Sequence, residues 1–182
     1  MTYIISIPTE IEHLVRTHLF QSDLEQGAFL FAHVKQEADQ TTFDVVEAYL
    51  VPAEGWQVQM DVHLEMKDEE RAKIMRLAKQ KNLALVDCHS HPGSFDRVWF
   101  SPSDRHGIAE FALYAKWKLD AKPYAAMVWA ESSIDAVAWD NSFAQALPVS
   151  QIIILNGDDK ILIPKGTWFS QNVRWRKVNT NE

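Results

Sequence analysis

The chain holds a single cysteine, Cys88, among its 182 residues. That excludes an internal disulfide framework and any Cys-x-x-Cys metal or redox pair. Positive charge is also short: 18 Lys and Arg against 25 Asp and Glu leave a formal net charge of −7. This is the wrong sign for a nucleic-acid or anionic-membrane surface. No apolar run reaches the length of a transmembrane helix, and Met1–Pro8 lacks the basic start and cleavable apolar stretch of a signal peptide. The expectation is a cytoplasmic chain with no nucleic-acid and no membrane partner. Walker loops, dinucleotide fingerprints and the G-x-S-x-G elbow are missing too.

What is present is a well-stocked core. An apolar content of 47% with seven tryptophans suits one folded domain over residues 1–182, and no repeat, low-complexity tract or linker divides it. Periodicity predicts a strand at Tyr3–Ile7 and then an amphipathic helix from Pro8 to about Phe20, with Ile11, Leu14, Val15 and Leu19 on its inner face. Gly27–Val34 and Thr42–Val51 read as a hairpin, Gln57–Leu64 as one strand, Asp68–Lys81 as a helix, and Leu83–Cys88 as a buried strand. Pro102–Leu119 has helical core spacing, Pro123–Ala130 and Ile134–Trp139 form a hairpin, and Asn156-Gly157 marks another between Ile152–Leu155 and Lys160–Ile163. The expected class is therefore α/β, an α+β mixed sheet flanked by helices. Trp168-Phe169 and Arg174–Lys177 are expected to pack back on the sheet rather than dock a partner.

Chemistry concentrates in Asp87-Cys88-His89-Ser90-His91-Pro92, followed by Ser101-Pro102-Ser103-Asp104. Side chains alternate along a strand, so His89 and His91 share one face while Cys88 and Ser90 take the other. Asp104 can join them from the start of the next helix. Three N/O ligands with a fourth position left to water is the layout of a catalytic zinc site. Two plainer readings stand beside it: Ser101–Asp104 is also an ordinary helix start, with serine as N-cap and proline at the first position, and the histidines can be polar residues of a half-exposed strand. Amidohydrolase barrels need more residues, and zinc deaminases need a cysteine pair that this chain lacks. Asp87 lies on the histidine face and reads either as a group orienting a ligand or as a plain strand-end acid. His13, His18, His33, His63 and His106 lack ligand spacing.

His89-Ser90-His91-Pro92 followed by Ser101-x-x-Asp104 resembles the signature of the JAMM (MPN+) zinc metalloprotease family. That family also carries a glutamate upstream at a strand edge, and Glu25, ahead of Gln26-Gly27-Ala28-Phe29-Leu30, fits it. The resemblance implies a single-domain MPN/JAB-like fold with one zinc per chain, held by His89, His91 and Asp104. Glu25 would be the general base and Ser101 the donor to the oxyanion. It also implies a stand-alone isopeptidase or peptidase that removes a ubiquitin-like modifier after its C-terminal glycine, alongside activating and conjugating enzymes. Processing of a linear modifier or sulfur-carrier precursor is the enzymatic alternative, and a non-catalytic MPN-type scaffold is the alternative of another class. Trp56, Trp99 and Phe100 flank the motif and are expected to wall a substrate groove.

Overall fold

The computed structural model describes residues 1–169, so Arg174–Lys177 lie outside the described residues. Strand β1 (Thr2–Pro8) leads into helix α1 (Thr9–Leu19), then the hairpin β2 (Gly27–Gln36) and β3 (Gln40–Leu50). A small two-stranded sheet, β4 (Trp56–Gln59) and β5 (Leu64–Met66), precedes α2 (Asp68–Lys81) and β6 (Ala84–Ser90). Helix α3 (Pro102–Lys118), the hairpin β7 (Tyr124–Trp129) and β8 (Ile134–Trp139), and the pair β9 (Leu147–Leu155) and β10 (Lys160–Leu162) complete the chain.

The sheet does not remain open. Its order is β1-β3-β2-β6-β7-β8-β9, and β1 then pairs in parallel with β9, Ile5 opposite Ile152, so seven strands form a closed mixed barrel. This corrects the expected α/β class, an α+β mixed sheet flanked by helices, and with it the MPN/JAB-like fold. Alternation explains the closure. Every ring strand sends alternate apolar residues into one shared cluster, from Ile5 and Ile7 on β1 through Leu30, Val86 and Met127 to Ile152 and Ile154 on β9, and only a closed sheet gives all seven strands a common interior. Helix α1 adds Val15 and Leu19 to that cluster.

Helices α2 and α3 pack outside the ring. Ile74, Met75 and Ala78 of α2, with Ile108, Ala112 and Ala115 of α3, bury against Phe29, Leu85 and Tyr124 on the outer faces of β2, β6 and β7. Strand β6 therefore lies between two cores, and residues on its outer face open toward the α2–α3 side. Two local expectations also change. Leu14, expected inside, is 48% exposed. The expected strand Gln57–Leu64 is a hairpin, because Met60 N–H donates to His63 C=O at 2.9 Å and turns the chain at 60–63. No helix among the described residues is long and apolar enough to cross a membrane.

Candidate metal centre

Strand β6 places the two histidines as alternation requires. Cys88 enters the interior cluster, and the Ser90 hydroxyl accepts from Gln26 N–H at 3.0 Å on the same side. His89 and His91 point outward together, their ring centroids 5.1 Å apart. Pairing continues past the end of β6, since His91 N–H donates to Trp129 C=O at 2.8 Å. His91 is thus held by the sheet rather than by the loop that follows.

Asp104 arrives from the first turn of α3. Its Oδ2 accepts from Ser101 N–H at 2.6 Å, and its own N–H donates to Ser101 Oγ at 3.1 Å, a reciprocal capping box. The same Oδ2 lies 3.5 Å from His89 Nε2 and 3.3 Å from His91 Nε2. Cap and ligand are therefore one geometry, not alternatives. The ligand atoms of His89, His91 and Asp104 fall within 4.8 Å of one another, and the group can hold a metal ion. His89 Nε2 supplies the test of fit: it is buried and completes no hydrogen bond. A buried polar nitrogen without a partner is costly in a native fold, and a cation at the centre of the three residues would engage its lone pair once the ring is neutral.

Glu25 comes from the loop before β2 and is 5% exposed. Its carboxylate lies 3.5 Å from His91 Nε2. The β4–β5 hairpin holds its backbone on both sides: Glu25 N–H donates to Met60 C=O at 2.9 Å, and Gln59 Nε2 donates to Glu25 C=O at 3.1 Å. Gln59 also donates to Gln26 Oε1 at 2.8 Å. No local pattern marks these supports, because each crosses more than thirty residues of sequence.

The electrostatics follow from burial and crowding. Burial pushes the Glu25 carboxyl up to about 7 against the opposing charge of His89. For His89, burial works against the charged form, but the Asp104 carboxylate outweighs it, with Asp87 and Glu25 adding, and raises the imidazole to about 9. Burial lowers His91. Asp104 loses solvation too, yet the positive charge of the adjacent His89, with His91 adding, holds it well below the usual carboxylate range. Asp87 sits behind His89 on the same face and accepts from the Tyr124 hydroxyl at 3.1 Å. Burial raises its pKa to about 6.

A cleft of about 440 Å³ adjoins this cluster, with Glu25, His89 and Asp104 in its lining. Trp56 and Met66 from the small sheet line it with Phe29 and Phe111. Trp56 is thus placed as a wall. Trp99 stands edge-on to His91 at 5.5 Å, beside the centre and outside the cleft lining. Phe100 is not a groove residue: it is fully buried and packs near His89 and against Trp168. Ser101 keeps its hydroxyl at the N-cap, 2.9 Å from Ser103 Oγ. That oxygen accepts from Asp104 N–H, and its proton can be given to Ser103 Oγ or to another acceptor. His106 pairs with Glu110 at 3.5 Å near the surface, and His18 contacts Gly27 C=O at 3.1 Å; neither joins the cluster. No family model and no curated protein matches the chain.

Proposed function

We propose that the chain is a zinc-dependent isopeptidase or peptidase with JAMM-type chemistry, cutting after the C-terminal glycine of a ubiquitin-like modifier. The observation that carries this reading is the approach of the Glu25 carboxylate to within 3.5 Å of His91 beside the two-histidine, one-aspartate group. A purely structural metal site needs no fourth, proton-accepting carboxylate. Imidazole and carboxylate ligands suit zinc, which when bound supplies Lewis acidity, acidifying water and polarising a carbonyl.

The residues divide the remaining work. Glu25, raised to about 7, accepts a proton from the attacking water near neutral pH and passes it to the departing amine. Ser101 donates its hydroxyl proton to the carbonyl oxygen as negative charge develops there. The cleft walled by Trp56 takes an extended, narrow tail, and the two-stranded β4–β5 sheet offers open edges for main-chain pairing. Trp99, against His91, borders the reaction centre.

The deciding experiment incubates the zinc-loaded protein with a ubiquitin-like modifier joined to a lysine side chain through its C-terminal glycine, and separately with a linear C-terminal extension. Cleavage of the isopeptide, lost on chelation and restored by zinc, supports the proposal. Preference for the linear substrate moves the reading to precursor processing. A zinc-bound protein that cleaves neither, across a panel of modifiers, overturns the enzymatic reading in favour of a scaffold.

A further inference from the structure

Asp135 is a fully buried carboxylate on β8, its neighbours along the strand all apolar. Four donors converge on it. Ala136 N–H and Gly166 N–H donate to Oδ1 at 2.9 and 2.8 Å, while Thr167 N–H and the Thr167 hydroxyl donate to Oδ2 at 2.7 and 2.5 Å. Gly166 has φ +69, a left-handed conformation that glycine adopts without strain; it turns the chain so that two successive N–H groups face one carboxylate.

The fastened residue then reaches the metal centre from behind. The Thr167 hydroxyl oxygen accepts from Phe100 N–H at 3.0 Å, and Thr167 C=O accepts from the Arg105 guanidinium at 2.6 Å. Arg105 returns to Phe100 C=O at 3.3 Å. Trp168 packs between Phe100 and Trp139, at 5.1 and 5.3 Å. Phe100 and Arg105 bracket the Ser101–Asp104 capping box on both sides in sequence. Residues 166–169 therefore hold the turn that presents Asp104, although they lie more than sixty residues downstream of it.

We propose that Asp135 and Thr167 are positioning residues for the metal centre, acting through the Phe100–Arg105 turn. Hydrogen bonding fixes the start of α3 against β8, and this sets where the Asp104 carboxylate meets His89 and His91. A ligand held by a local cap alone is free to rock with its helix end. Here the buried carboxylate of another strand removes that freedom.

The test compares Thr167→Val, which keeps shape but loses the hydroxyl, with the conservative Thr167→Ser. Hydrogen exchange of residues 100–106 is read in the metal-free protein, and zinc affinity by chelator competition. Expected for Thr167→Val is exchange at least tenfold faster in 100–106, with β2 and β7 unchanged, and zinc binding about tenfold weaker; Thr167→Ser restores both. Unchanged exchange and unchanged zinc affinity in Thr167→Val overturn the proposal. If Thr167→Val loses its global fold, Arg105→Gln removes one link from α3 without touching the buried carboxylate, and the same pair of readouts decides. The zinc arm rests on the metal reading above and the exchange arm does not. Faster exchange in a chain that binds no zinc sinks the metal reading and leaves the positioning role standing.

Discussion

Glu25 and His89 show how far a single side chain can be pushed by its surroundings. Glu25→Gln keeps size and burial but cannot take a proton. It is expected to lower kcat by about 10²–10⁴-fold while zinc content, read by elemental mass spectrometry, stays near one per chain. Full activity in this variant removes Glu25 from the mechanism. His89, raised to about 9, carries a proton at pH 7 that must leave before its nitrogen can bind a metal. Zinc binding is therefore expected to release about one proton at pH 7, with affinity rising about tenfold per pH unit until His89 is neutral. Calorimetry in two buffers of different ionisation enthalpy measures that release, and its absence would place His89 in the neutral form. His89, His91 and Asp104 were legible because strand alternation and capping geometry are local rules. Phe100 was not: an aromatic residue in a loop reads the same whether it faces a groove or the core. Asp135 offered one signal, an acid inside an apolar strand, but nothing local named Thr167 as its partner.

At the level of the element, the first turn of α3 serves two purposes that mutation can separate. Ser101→Ala removes the N-cap acceptor and is expected to cost about 1 kcal/mol of stability, read by urea denaturation, with zinc still bound. Asp104→Asn keeps an oxygen for the cap but loses the charge. It is expected to leave stability within about 1 kcal/mol of the parent while weakening zinc binding by tenfold or more. If both variants lose stability alike and neither loses zinc, Asp104 serves only as a cap. The hairpin β4–β5 was misread as one strand because its turn, Met60-Asp61-Val62-His63, contains neither glycine nor proline and keeps an alternating pattern. That hairpin bears directly on the site. At Gly27 a Cβ would come within 2.6 Å of Trp56 Cη2, so Gly27→Ala must displace the cleft wall. A rise in KM larger than the fall in kcat is the expected signature.

On the scale of the whole molecule, the closure between β1 and β9 was out of reach of the sequence. Ile4, Ile5, Ile152 and Ile153 mark two apolar strands, but no local pattern tells a strand that its parallel partner lies near the other end of the chain. The hairpins, by contrast, declare their partners through short turns, and all three expected ones formed. The seam is expected to matter energetically: Ile152→Ala, at a fully buried position opposite Ile5, should cost about 2–5 kcal/mol, measured from the urea midpoint. A cost under about 1 kcal/mol would mean that closure contributes little.

That seam also sets a schedule for folding. Strand β1 leaves the ribosome before both of its partners, and β3, which pairs with one of its edges, follows it far sooner than β9. Its other edge waits for β9, whose pairing residues are Val149–Leu155. At ribosomal speeds of about 5–20 residues per second, the wait lasts roughly 7–30 s, with a row of unpaired backbone groups open to other chains. The same β1 residues that seal the finished barrel are, until then, an open strand edge.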